Sequence, residues 1–71
     1  MLTFYQFMMK FVDPEANDPI SRLANQMHED IDFPKQSQDF HEISDYIEGS
    51  LAYTRLVAIF DQAWLNYQNH I

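Results

Sequence analysis

Seventy-one residues with eleven Asp and Glu against four Lys and Arg carry a formal charge of −7, which bounds the chain to one small domain, residues 1–71, that repels polyanions. Lys10, Arg22, Lys35 and Arg55 fall on four separate segments, so the clustered cations that give nucleic-acid binders their non-specific affinity are missing from the sequence. There is no Cys, which excludes disulfides and thiolate metal sites and fits a reducing compartment; one Trp, four Tyr and six Phe are left to build a core in a chain that buries only roughly 60% of its unfolded surface.

The opening stretch MLTFYQFMMKFV lacks a basic leader region, Lys10 interrupts its apolar run, and no small-residue cleavage site follows. No apolar run approaches the roughly 20 residues that span a bilayer. The expectation is a soluble, cytoplasmic protein. Thr3 and Gln6 have capping-box spacing, with Leu2 and Phe7 at the positions of a hydrophobic staple. Phe4, Phe7, Met8 and Phe11 follow at helical intervals, and Asp13-Pro14 ends this first helix because a residue before proline avoids the α region.

Asp18 and Pro19 open the second helix as N-cap and first helical residue. Ile20, Leu23, Ala24, Met27 and Ile31 form its apolar face, and Phe33 anchors the turn that follows. In the third helix Asp39 and Glu42 match a capping box, with Ser37 as an alternative cap. Phe40, Ile43 and Ile47 line one face, Tyr46 lies at its edge, and Gly49 suits a left-handed closing residue. Ser50 is placed to cap the last and longest helix, residues 51–69, whose stripe is Tyr53, Leu56, Val57, Phe60, Trp64 and Tyr67. The core expected from these stripes contains Phe4, Phe7, Leu23, Met27, Phe40, Ile43, Ile47, Phe60 and Trp64. The fold class is all-α, a compact four-helix bundle with a long C-terminal helix.

Candidate chemistry is sparse. HEISD at residues 41–45 resembles a zinc-protease helix except that the fifth position is Asp45, so His41 and Asp45 offer two ligands and the third is missing. Their helical spacing reads instead as a solvated polar face with a His-Asp pair one turn apart. Asp13, Glu15 and Asn17 begin like a calcium loop, but Asp18 stands where Gly is needed and Ala24 where Glu is needed. With one Gly in the chain, a nucleophile elbow and a phosphate-cradling loop are both excluded. Glu29, Asp30 and Asp32 crowd the C-terminal end of the second helix, where the helix dipole disfavours anions and Lys35 offsets part of the charge. This acidic cluster is a solvated turn, or else a contact for a basic partner or a loosely held cation. Tyr5 and Met9 widen the apolar arc of the first helix, and Leu51, Ala58 and Leu65 recur every seven residues as a second seam on the last. That seam serves a partner helix, a second copy in a weak homodimer, or the domain's own core.

Taken in order, FYQFMMKF, DPISRLANQMHED, FPKQSQDFHEISDYIE, FDQAW and Tyr67 resemble the YozE-like family of small bacterial proteins over nearly the full length. GSLAY, residues 49–53, departs most from the family pattern. The resemblance implies a four-helix fold similar to sterile-alpha-motif (SAM) domains and a cytoplasmic bacterial protein; it supplies no catalytic residues. Within the motif, Arg22 is expected to pair with the acids of HED and HEIS and so link helices two and three. The resulting expectation is a non-enzymatic module without a cofactor that binds another protein or itself. Nucleic-acid binding by SAM-like analogy is the alternative, opposed by the charge. A metal-dependent enzyme would have to rest on His41, Asp45 and the Glu29–Asp32 cluster.

Overall fold

Local capping chemistry sets where the helices begin. The computed structural model describes residues 2–70; among these, α1 (Phe4–Met8), α2 (Pro19–Glu29), α3 (Phe40–Glu48), α4 (Val57–Gln68) and two short 3₁₀ turns make up the regular structure, with no strand. The Gln6 amide donates to the Thr3 hydroxyl at 3.1 Å and the Thr3 amide donates to the Gln6 side chain at 3.0 Å, the reciprocal box that the spacing predicts. Helix α1 is shorter than its apolar stripe, because the backbone tightens into a 3₁₀ turn at Met9–Phe11 and Val12 is already extended ahead of the Asp13-Pro14 block. Leu2 is 38% exposed, and its carbonyl accepts the Tyr67 hydroxyl at 2.6 Å, pinning the start of the chain to α4.

The Asp18 carboxylate caps α2 through the Ser21 amide at 3.1 Å, with Pro19 as its first residue. Ahead of it, the Asn25 side chain clamps the backbone of Asp13, donating to its carbonyl at 3.0 Å and accepting its amide at 2.9 Å. Ile31, expected on the apolar face of α2, is 86% exposed: the helix stops at Glu29 and Asp30 is extended, so helical spacing no longer applies there. Asp39 caps α3 through the His41 amide at 3.0 Å, one residue short of the bond a box with Glu42 needs. Ser37, the alternative cap, instead accepts the Asp39 amide at 3.1 Å.

Two further expectations are corrected. Gly49 has φ −87°, an ordinary right-handed value, so no left-handed residue closes α3. What a side chain there would meet is the Asp45 carbonyl oxygen, 3.1 Å from an added Cβ. The expected helix over 51–69 is broken: Leu51–Tyr53 is a 3₁₀ turn, Ser50 makes no side-chain cap, and α4 begins at Val57 after Leu56 at φ −115° and ψ 2°. The break leaves Tyr53 and Leu56 buried while the Tyr53 hydroxyl reaches back to Asp30 at 2.8 Å.

Phe4, Met8, Leu23, Met27, Ile43, Ile47, Tyr53 and Phe60 are fully buried, and Phe7, Phe33 and Trp64 nearly so. Phe40, expected in the core, lies at its rim at 37% exposure, stacked on Phe60 at 5.9 Å and edge-on to Trp64 at 5.3 Å. Two aromatic clusters tie the elements together. Phe4 joins α1 to α4 by packing on Phe60, Trp64 and Tyr67 at 5.5, 5.2 and 5.6 Å. Phe33 meets Tyr5, Tyr46 and Tyr53 at 5.8, 5.5 and 6.3 Å, joining the turn after α2 to α1, to α3 and to the 3₁₀ turn. No helix is long and apolar enough to cross a membrane.

Candidate functional site

The acidic cluster at the end of α2 divides into a structural member and two solvated ones. Asp30 turns its carboxylate inward, and its Oδ2 accepts both the Tyr46 hydroxyl at 2.7 Å and the Tyr53 hydroxyl at 2.8 Å. Its Oδ1 accepts the Asp32 amide at 3.0 Å. One side chain thus clasps α2, α3 and the 3₁₀ turn before α4. Burial pushes the Asp30 carboxyl up, but the hydrogen bonds from Tyr46, Tyr53 and the Asp32 amide, together with the charge of Lys35, outweigh it and leave the pKa below its ordinary value. The same contacts act oppositely on the phenols. The bond to Asp30, with burial and the charges of Asp30 and Asp32, pushes Tyr46 up to about 12. Burial, followed by the bond to Asp30, raises Tyr53 further. Asp30, one of the partner candidates, thus has a role inside the fold, while Glu29 and Asp32 are exposed.

Tyr5 and Met9 are half-buried against the core; the Tyr5 ring packs on Phe33, and the Lys35 ammonium lies 5.5 Å from its centre. His41 and Asp45 are exposed on α3, with the imidazole edge-on to Phe40 at 5.6 Å. Among the described residues no three His, Asp or Glu side chains are grouped so as to hold a metal ion.

The seam of Leu51, Ala58 and Leu65 does not form, since Leu51 precedes the break in the helix. All three are exposed, Leu51 at 93% and Leu65 at 52%, but they belong to different surfaces. Ala58 joins Ile20, Ile59 and Ala63 along a concavity of about 420 Å³ between α2 and α4. Leu65 joins Phe40 and Trp64 at an open concavity of about 470 Å³ on the other flank of α4, bordered by Asp61 and Gln68.

This four-helix arrangement and its sequence can be set beside known proteins. A family model described as the YozE SAM-like fold matches residues 3–69. The chain belongs to the YozE SAM-like family. It is 45% identical to a UPF0346 protein of Bacillus velezensis over all of its own length and 96% of the relative's, and 44% identical to the UPF0346 protein YozE of Bacillus subtilis with the same coverage. The solution NMR structure of the Bacillus subtilis protein is similar with a TM-score of 0.89, over 99% of this chain and 85% of that one. The SAM-like fold expected from the resemblance is therefore the fold of this bacterial chain.

Within this YozE-type fold, two of the three clasp residues lie in stretches that carry the resemblance and the third lies in the stretch that departs most from it. Asp30 ends DPISRLANQMHED and Tyr46 lies in FPKQSQDFHEISDYIE, while Tyr53 comes from GSLAY. Arg22 is exposed on α2. It lines a concavity of about 360 Å³ with Gln26, Leu51, Thr54 and Arg55, which sets it beside a second arginine. Sequence order concealed this pairing, because thirty-odd residues separate the two. Arg22→Ala is expected to change stability by no more than about 0.5 kcal/mol, as exposed positions without a packing role usually do. A thermal melt checks this, and a loss of several degrees would restore a structural role for the guanidinium.

Proposed function

We infer that this domain is a protein-interaction module without catalytic chemistry of its own, and that the outer flank of α4 is its contact surface. The observation that carries this reading is the half-exposed Leu65 standing beside the rings of Phe40 and Trp64 over an open apolar concavity. Asp61, at the edge of this concavity, is the one charged residue in α4, so the helix carries little of the chain's net charge of −7. An apolar centre with aromatic anchors and a polar border is the pattern of a binding surface. Asp61 and Gln68 supply that border.

The test is capture from bacterial extract on the tethered chain, with and without nuclease, in parallel with Leu65→Glu. Because Leu65 is on the surface, the variant is expected to melt within about 0.5 kcal/mol of the parent. Proteins held after nuclease treatment and released by Leu65→Glu would support the reading. Capture that vanishes with nuclease, or that Leu65→Glu leaves unchanged, would overturn it.

A further inference from the structure

The chain has four Lys and Arg, and the fold uses them unequally. The Lys10 ammonium lies over the Phe7 ring at 4.6 Å. Lys35 lies over Tyr5 at 5.5 Å and donates to the Ile31 carbonyl at 3.2 Å. Both lysines are thus occupied within the molecule. Arg22, on α2, and Arg55, in the turn before α4, are exposed and border one concavity of about 360 Å³. Gln26 and Thr54 line it between them, and Leu51, 93% exposed, stands at its lip.

We propose that the groove between Arg22 and Arg55 binds a partner segment in which one or two carboxylates flank an apolar side chain. This adds a second surface to the interaction module inferred above and rests on that reading. Each guanidinium presents a planar fork of donors that matches a carboxylate through paired, charge-assisted hydrogen bonds. Gln26 offers a further amide donor beside them. Leu51 supplies what a bare anion site lacks, an apolar contact whose exposure a partner's aliphatic side chain would relieve. The size of the charge decides between occupants. A nucleic-acid backbone carries a long row of phosphates that would meet the field of eleven Asp and Glu. A short segment with one or two carboxylates satisfies both arginines and leaves that field unopposed elsewhere.

A library of displayed peptides selected on the immobilised full chain tests this, with Arg22→Gln/Arg55→Gln and Leu65→Glu chains selected in parallel. The parent is expected to enrich peptides with Asp or Glu beside an apolar residue. A synthetic peptide made from the enriched set should bind about tenfold more weakly for each arginine replaced, the scale of one hydrogen bond to a charged group. It should also weaken as salt rises and bind the Leu65→Glu chain as it binds the parent. Both arginines are exposed, so unchanged melting of the double variant verifies that only the groove was altered. Peptides that bind the double arginine variant equally well overturn the proposal; if Leu65→Glu releases them instead, the interaction reading stands and the groove assignment alone falls. Enrichment of nothing on any chain overturns the groove proposal and leaves the interaction reading to the capture experiment. A short single-stranded oligonucleotide held by the parent and lost from the double variant would overturn the peptide assignment in favour of a phosphate backbone.

Discussion

Phe4→Ala is expected to leave most of the chain unfolded at room temperature. Phe4 is fully buried, and its ring is the point at which α1 meets Phe60, Trp64 and Tyr67 of α4. Removing a buried Phe side chain costs about 3–5 kcal/mol through lost transfer energy and the cavity left behind. A single core in a domain of this size rarely supplies more than about 3–5 kcal/mol in total. With no Cys and no disulfide to share the load, one substitution is therefore comparable with the whole stability. Far-UV circular dichroism through a thermal ramp measures it. A cooperative melt near the parent's would mean that α4 is held by something other than this aromatic cluster. Phe4→Leu, which fills most of the space, should retain a melt at reduced temperature.

Asp30→Ala should be the next most damaging change, at about 2–3 kcal/mol, because the Tyr53 hydroxyl is left buried without an acceptor while the Tyr46 hydroxyl and the Asp32 amide can still reach water. The double variant Asp30→Ala/Tyr53→Phe should be milder than Asp30→Ala alone, since removing both partners removes the orphaned donor. If the double variant is worse, the clasp acts through packing and not through its hydrogen bonds.

The same clasp sets two pH limits. Because the folded pKa of Asp30 is lowered, the unfolded chain binds the extra proton first. Stability from the clasp is therefore present above the unfolded value of about 4 and is lost as pH falls through the folded one. The tyrosines run the other way. Tyr46 is raised to about 12 and Tyr53 is raised as well, so above about 10 the unfolded chain sheds protons that the folded chain retains. Their contribution is complete below about 10 and is lost as pH rises through the folded values. Melts of Tyr46→Phe/Tyr53→Phe across the alkaline range should show a shallower decline than the parent. An identical decline would place the alkaline sensitivity elsewhere.

Three of the four helix starts were legible in the chain because caps are local: Thr3 with Gln6, Asp18 with Pro19, and Asp39 each satisfy backbone donors within a few residues of themselves. So was most of the core, since helical spacing alone placed Phe4, Leu23, Met27, Ile43, Ile47 and Phe60 inside. The ends of helices were less legible. Nothing local at Ile31 or Ser50 states that α2 has ended or that α4 has yet to begin, and both boundaries depend on where Asp30 and Tyr53 meet.

The sequence by itself therefore determined an all-α chain, its capped helices and its apolar faces, because these follow from contacts over one or two turns. Only the tertiary structure decided which acid of the HEDID stretch would be taken into the fold. Only it decided that Leu51, Ala58 and Leu65 would serve separate surfaces, and that Arg22 and Arg55 would share a groove. Each of these depends on how helices distant in sequence are set against one another. A carboxylate reads the same in sequence whether two tyrosines reach it or water does, and the difference arises only when the core closes around Phe33 and Tyr53.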